Sequence, residues 1–127
     1  MRTWHDDFLD GYETTDIALG EVDLAQGEPP DVEMVATLVR KTPANRHRRA
    51  VLYIHGWNDY FFQTHLADHL SDLGFDFYAL DLRRYGRSLR VGHLRGFITN
   101  LDEYGVELGA SADLIARSNK SLFPVVL

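Results

Sequence analysis

Cysteine is absent from this chain of 127 residues. Disulfide frameworks and thiolate catalysis are therefore excluded, and the absence fits a reducing compartment. No apolar run approaches the roughly 20 residues that a membrane-spanning helix needs, and residues 1–7 lack the apolar stretch of a secretion signal. These absences lead us to expect a cytoplasmic protein without a membrane span.

Positive charge is scarce: 13 Lys and Arg stand against 19 Asp and Glu, a net charge of −6. Binding to a nucleic-acid backbone is therefore disfavoured. The two signs are separated along the chain, because ten acids precede Met34 while the stretch 82–101 holds arginines and no acid. These arginines could bind a substrate anion, but pairing with the acidic N-terminal segment or with solvent is favoured. They are Arg83, Arg84, Arg87, Arg90 and Arg95.

The apolar pattern predicts a single α/β domain, since 45% of the residues are hydrophobic and 25% are charged. Two β-rich stretches, residues 14–19 and 34–39, are separated by a glycine- and proline-rich loop, and we expect them to pair antiparallel. Residues 51–54 predict a buried strand. A helix ending at Gly74 follows, and its predicted core stripe is Phe62, Leu66, Leu70 and Leu73.

The second half of the chain repeats the alternation of strand and helix. Residues 75–80 predict a strand, and a second helix is expected to open near Asn100 with Glu103 as its capping-box partner. Residues 122–127 have the pattern of a final buried strand. Strand–helix–strand units predict parallel strands with right-handed crossovers. The core stripe of the second helix is predicted at Leu101, Tyr104, Leu108 and Ile115.

The carboxyl ends of two strands, 51–54 and 122–127, are expected to face one crevice, the favoured ligand site in open α/β sheets. The first strand runs into His55-Gly56-Trp57-Asn58-Asp59-Tyr60. A turn here can aim the backbone N–H of Trp57 into the crevice, where donors of this kind stabilise the oxyanion of a tetrahedral intermediate. Alternatively, the glycine serves only to allow a positive φ.

Three segments resemble the α/β-hydrolase superfamily, specifically its serine aminopeptidase S33 or lysophospholipase-like (monoacylglycerol-lipase-like) branch. The six residues from His55 resemble the His-Gly oxyanion loop of that branch. Residues 79–88 resemble its D-x-R-G-x-G-x-S segment, with Arg84 where the pattern has glycine. Residues 122–127 resemble the strand that feeds the G-x-S-x-G nucleophile elbow. The resemblance spans residues 11–127.

This resemblance implies a three-layer αβα fold with strand order 1-2-4-3-5, the first strands antiparallel and the remainder parallel. It also implies acyl transfer to water by a Ser, acid and His triad, without cofactor or metal. All three triad members are expected beyond Leu127, so that residues 1–127 would be the inactive N-terminal portion of one domain. The chain itself would supply half of the oxyanion hole, the Trp57 N–H. The surrounding oxyanion loop and pocket wall would be His55, Gly56, Asn58, Asp59 and Tyr60.

Three other constellations are given structural interpretations. His65 and His69 have the i, i+4 spacing of metal ligands, but without an H-E-x-x-H motif they are assigned to the edge of a helix core. Ser88 comes nearest to a nucleophile, yet it does not lie in G-x-S-x-G. Asp81 is expected to bond the turn that follows it rather than a ribose, because no G-x-G-x-x-G precedes its strand.

Two classes of function remain open. In the first, the parent protein is a serine esterase, lipase or peptidase-like hydrolase acting on a small-molecule ester or amide. In the second, the chain is a non-catalytic α/β module, or half of a split protein, that uses the same crevice for binding. In both, we expect the last strand to present an apolar edge that pairs with a missing C-terminal half or with another chain.

Overall fold

A six-stranded mixed sheet with a helix on each face forms the fold, in a computed structural model that describes residues 2–119 and 124–127. The two helices are α1 (Thr64–Asp72) and α2 (Gly105–Asn119), and 3₁₀ turns lie at Gly86–Ser88 and Leu101–Tyr104. The strands are β1 (His5–Asp6), β2 (Tyr12–Ala18), β3 (Val35–Lys41), β4 (Arg49–Ile54), β5 (Phe75–Asp81) and β6 (Val125–Val126).

The strands lie in the order β1-β2-β3-β5-β4-β6. The first four pair antiparallel in turn, whereas β5–β4 and β4–β6 are parallel. The short edge strand β1 is additional to the five strands expected. Residues 122 and 123 of the predicted last strand lie outside the described residues. Because β5 and β6 flank β4 on opposite sides, the chain reverses direction beside β4, which creates a topological switch point.

Alternate residues of the central strands divide the core into two apolar clusters, one on each face of the sheet. Leu52 and Leu80 share a cluster with Ile115 of α2. The neighbouring Val51 lies in the other cluster, together with Ala67 of α1. The sheet is thus the middle of three layers, and its central strands are buried on both faces.

The buried face of α1 differs from the predicted stripe. Ala67 is fully buried, whereas Phe62 and Leu73 are 50% and 56% exposed. The prediction was wrong at both ends because the helix begins only at Thr64, so helical spacing does not apply to Phe62, and Leu73 is already the C-cap. Phe61 fills the core instead, with no exposed surface.

The predicted capping box at the start of the second helix is confirmed. The Asn100 side chain accepts from the Asp102 N–H at 2.8 Å, and the Asn100 N–H donates to the Glu103 carboxylate at 2.9 Å. The box opens a 3₁₀ turn rather than the α-helix itself. Leu101 is 72% exposed, so its assignment to the core was wrong. The remaining stripe members do lie in or against the core: Tyr104, Leu108 and Ile115.

Candidate functional site

The end of β6 lies directly beside the end of β4. Leu52 and Val126 are register partners in this parallel pair. The Leu127 N–H donates to the Leu52 carbonyl at 2.8 Å, and the Leu127 carbonyl accepts from the Ile54 N–H at 3.0 Å. The backbone after β6 is therefore aligned with Ile54, the residue that precedes the His55 turn.

His55 ties the turn after β4 to the segment after β5. Its Nε2 accepts a hydrogen bond from the Leu82 N–H at 3.0 Å, so Nδ1 is the nitrogen that donates to the Gly56 carbonyl at 2.8 Å. The ring is buried and packs edge-on against Tyr85, with centroids 4.8 Å apart. Because both ring nitrogens are engaged within the fold, His55 is an anchor of the turn and not a free base.

Gly56, Trp57 and Asn58 form an exposed tip at the switch point. Trp57 is 83% exposed, and no hydrogen bond among the described residues uses its N–H as donor. The positive φ of this turn, 55°, belongs to Asn58 rather than to the glycine, so the interpretation of Gly56 as a positive-φ residue was wrong. A Cβ placed on Gly56 would meet no atom within 4 Å, so the surface beside it is open.

The second half of the loop is held by its own side chains. The Asp59 carboxylate accepts from the Tyr60 N–H at 2.8 Å and from the Gln63 side chain at 3.3 Å. The Tyr60 and Phe62 rings contact each other, with centroids 5.2 Å apart. Burial raises the pKa of Tyr53, and the carboxylate of Asp59 raises it further. These contacts keep an acidic and aromatic wall next to the exposed tip.

Asp81 anchors the far end of the loop. This fully buried carboxylate accepts from the Phe61 N–H at 2.8 Å, from the Arg87 N–H at 3.0 Å and from the Arg87 side chain at 2.9 Å. The expected bond to the following turn is confirmed, and the bond to Phe61 was not anticipated. Ser88 is also buried and donates to the Asp81 carbonyl at 2.6 Å, so its hydroxyl is committed to structure. Gly86 has to lack a side chain, because a Cβ there would lie 2.7 Å from this carboxylate.

The arginine-rich segment pairs with acids, as the charge pattern predicted. Three of its five members pair with the N-terminal third of the chain, a fourth pairs with the start of the second helix, and the fifth, Arg95, is exposed to solvent. The paired arginines of this segment therefore form ion pairs within the fold. The alternative interpretation was that they bind the anion of a substrate. The pairs are Arg84–Glu28, Arg87–Asp7, Arg90 with Asp16 and Glu33, and Arg83 with Glu103 and Glu107.

Arg84 stands where the D-x-R-G-x-G-x-S pattern has glycine, and its backbone adopts a conformation that glycine favours. Its φ is 63°, in the left-handed region that costs a residue with a Cβ roughly 1–2 kcal/mol. The side chain is fully buried, and its Nε and Nη2 each donate to the Glu28 carboxylate at 2.8 Å. A third bond reaches the Phe97 carbonyl at 2.8 Å. The turn shape is thus retained, and charge-assisted hydrogen bonds offset the strain.

The Glu28–Arg84 pair predicts loss of stability in acid. The hydrogen bond from Arg84 is the main reason why the pKa of Glu28 falls from its ordinary value of 4.5 to about 2. A depressed carboxyl pKa stabilises the fold above the unfolded-state value, and this contribution is lost as the pH falls toward the folded-state value. Between about pH 4.5 and about pH 2, we expect Glu28 to account for a loss on the order of 3 kcal/mol.

Urea unfolding curves at several pH values test this expectation. Glu28→Gln should make the acid limb shallower by the share that Glu28 contributes, because glutamine has no proton to gain. Glu21→Gln is the matched control on the same connection, where the residue is exposed, and should retain the limb. Equal pH slopes for the Glu28→Gln variant and the parent would contradict the assignment.

His65 and His69 are both exposed on α1. Within residues 2–119 and 124–127, no group of three or more His, Asp or Glu side chains could hold a metal ion. The two imidazoles therefore have no third ligand in that part of the chain. In the same ranges, no helix has the length and hydropathy that crossing a bilayer requires.

A family model described as serine aminopeptidase S33 matches residues 45–127, which is more than half of the chain. No match is found among curated proteins. The matched range starts just before β4 and includes α1, β5, α2 and β6. It therefore contains the three strands, β4, β5 and β6, that form the switch point.

Proposed function

The chain belongs to the serine aminopeptidase S33 family of α/β hydrolases, and on this premise we propose that it is the N-terminal part of a serine hydrolase acting on carboxylic ester or amide bonds of small molecules. The proposed activity is of the lysophospholipase, esterase or lipase kind. The nucleophile, the acid and the histidine base are proposed to follow Leu127 in the order used by this fold. Residues 1–127 are then one portion of a single domain, need no cofactor and are inactive alone.

The pairing of β4 with β6 is the observation that carries this proposal. A strand-to-helix turn directly after β6 would display a serine at its tip. Since Leu127 is hydrogen-bonded between Leu52 and Ile54, that tip would face the turn formed by His55, Gly56 and Trp57. An acyl carbon bound there would lie between a nucleophile on one strand end and amide donors on the other.

Trp57 has the main chemical role among the residues present. Its N–H, which bonds no other described residue, would donate to the oxyanion of the tetrahedral intermediate. A preorganised donor of this kind is worth roughly 2.7–4 kcal/mol in the transition state. The other members of the loop position this amide or line the pocket: His55 anchors the turn, Gly56 leaves the approach open, and Asn58, Asp59 and Tyr60 form the wall.

The edge of β6 is proposed to pair with the remainder of the hydrolase or with another chain. Val125, Val126 and Leu127 are 55%, 60% and 54% exposed, although they belong to an apolar strand. An apolar strand edge of this kind is a template for further pairing. In the complete domain, that pairing would bury the edge and cover the crevice.

Covalent labelling tests the proposed function. A chain that continues beyond Leu127 through the nucleophile turn should react with a fluorophosphonate probe, because an activated serine attacks phosphorus as it attacks a carbonyl. The 127-residue chain should remain unlabelled. Heat-denatured protein and a Ser→Ala change in the G-x-S-x-G motif are the controls. An extended, folded chain that does not label would reject the hydrolase and favour the non-catalytic binding module.

A further inference from the structure

One residue, Phe61, joins the exposed loop to the rest of the fold. The backbone of Phe61, the first fully buried residue after Trp57, is bonded at both of its polar groups. Its N–H donates to Asp81 at 2.8 Å, and its carbonyl accepts from Nη1 of Arg87 at 2.8 Å. The same Nη1 lies 2.9 Å from the Asp81 carboxylate. Asp81 and Arg87 therefore act together as a clamp on this residue.

The Arg87 side chain is in turn held by Asp7, near the start of the chain. Its Nε donates to one Asp7 oxygen at 2.7 Å and its Nη2 donates to the other at 2.8 Å. This bidentate geometry fixes the plane of the guanidinium as well as its position. The side chains of Arg87 and Asp7 are only 7% and 4% exposed, and that of Asp81 is fully buried. Water therefore cannot readily take over these hydrogen bonds, and breaking one of them would leave a buried polar group without a partner, which is costly.

Electrostatic attraction supports the arrangement. One cation lies between two carboxylates, Asp7 and Asp81, both within hydrogen-bond distance of it. Burial by itself would raise the pKa of Asp7, but the hydrogen bonds from Arg87 and from the Leu9 N–H outweigh it, so that this pKa is lowered. Asp7 is thus charged at neutral pH and remains a partner for the guanidinium.

We propose that Asp7 and Arg87 are positioning residues for the catalytic loop. Through them, the first residues of the chain set the place at which the loop of residues 55–60 rejoins the fold. The other end of the loop is fixed by the hydrogen bond between the Leu82 N–H and His55. The Trp57 amide therefore lies between two anchored residues, His55 and Phe61. The catalytic meaning of this clamp rests on the proposed function.

Amide hydrogen exchange at Phe61, followed by NMR on the 127-residue chain, measures the clamp without any need for activity. Arg87→Met and Asp7→Asn should each accelerate exchange at Phe61 by roughly ten-fold or more, because a lost charge-assisted bond shifts a local opening equilibrium by at least that factor. Exchange at Leu52, in the centre of the sheet, should stay within about two-fold. Arg87→Lys keeps the positive charge but loses the paired N–H donors of the guanidinium, so its exchange rate at Phe61 should lie between those of the parent and Arg87→Met.

Two exposed residues from the same segments provide matched controls. Asp6→Asn and Arg95→Met remove the same charges at positions exposed to solvent and should leave Phe61 exchange unchanged. If Arg87→Met proves too unstable, Asp7→Asn decides the question alone, since it keeps the shape of the side chain and removes its charge and one of its two acceptor oxygens. Phe61 exchange equal to that of the parent in folded Asp7→Asn overturns the proposal.

The catalytic part of the proposal is tested separately in the extended hydrolase. Asp7→Asn should lower kcat about ten-fold and leave KM nearly unchanged, because a misplaced oxyanion donor weakens only the transition state. An active enzyme with faster Phe61 exchange and unaltered kcat overturns the positioning role. An extended chain that never labels with fluorophosphonate refutes the proposed hydrolase, and the exchange experiment still decides whether the clamp holds the loop.

Discussion

Replacing Trp57 by proline is expected to reduce the kcat of the extended hydrolase about 10²- to 10³-fold, the loss seen when one oxyanion donor is removed. Proline lacks the N–H that the proposed mechanism uses and leaves the carbonyl in place. The preceding residue is glycine, which tolerates the restriction that proline imposes on its neighbour. KM should change little, because the lost bond forms fully only in the transition state.

Trp57→Ala is the matched control for this experiment. It removes the whole indole, which is 83% exposed, and retains the backbone donor, so kcat should remain close to that of the parent. Circular dichroism of both variants establishes that the fold survives. Equal losses of kcat in Trp57→Ala and Trp57→Pro would show that the side chain matters and the amide does not, and would contradict the assigned role.

Replacing Glu107 by leucine is expected to lower the free energy of unfolding by about 3–5 kcal/mol, the cost of leaving a buried charge without its partner. Glu107 is fully buried in α2 and accepts three bonds from Arg83: from the N–H and Nε at 3.1 Å each, and from Nη2 at 2.6 Å. The Arg83 side chain is only 2% exposed. Its remaining carboxylate neighbour, Glu103, is 3.5 Å away and partly exposed.

The double variant Arg83→Met/Glu107→Leu separates charge from packing. It should recover most of the loss, because replacing both members of a buried pair by apolar side chains is often neutral or stabilising. The partly exposed surface pair Lys41–Asp68, with 3.7 Å between its charged atoms, is the control, and Lys41→Met should cost less than about 1 kcal/mol. Urea unfolding followed by tryptophan fluorescence measures all four proteins. A single-variant loss below about 1 kcal/mol would contradict the argument.

Features that depend on a few neighbouring residues were predictable from the sequence. The capping box of Asn100 and Glu103 joins positions three residues apart, so its two hydrogen bonds follow from local chemistry. The strand predicted at residues 75–80 is observed as Phe75–Asp81. A continuous apolar run between turn signals carries this information without reference to the rest of the chain.

Features that depend on where a helix starts were predicted less well. The apolar stripe of the first helix assumed that Phe62 was already helical, but α1 begins at Thr64. Phe61 rather than Phe62 therefore enters the core. The bond between the Phe61 N–H and Asp81 helps to set this difference, and its two partners are 20 residues apart in the sequence.

The charge pattern predicted that the arginine segment would meet the acidic N-terminal segment, but it could not assign the partners. Arg84 and Glu28 are 56 residues apart, and Arg87 and Asp7 are 80 residues apart. Sequence reasoning therefore missed Asp7 and Arg87 as members of the site. The available signal was the arginine between the glycine and the serine of the Gly86–Ser88 turn, and its place in the sequence does not identify its partner.

The sequence by itself determined the fold class of the protein, through hydrophobic periods of strand and helix and through three short segments that resemble the α/β-hydrolase superfamily. Those signals are local, because a turn or a period is complete within about ten residues. Only the tertiary structure decided which carboxylate faces which arginine, which phenylalanine is buried and how the loop after β4 is held at both ends. Such contacts join residues 20 to 80 positions apart, and their geometry exists only once the sheet has brought the strand ends together.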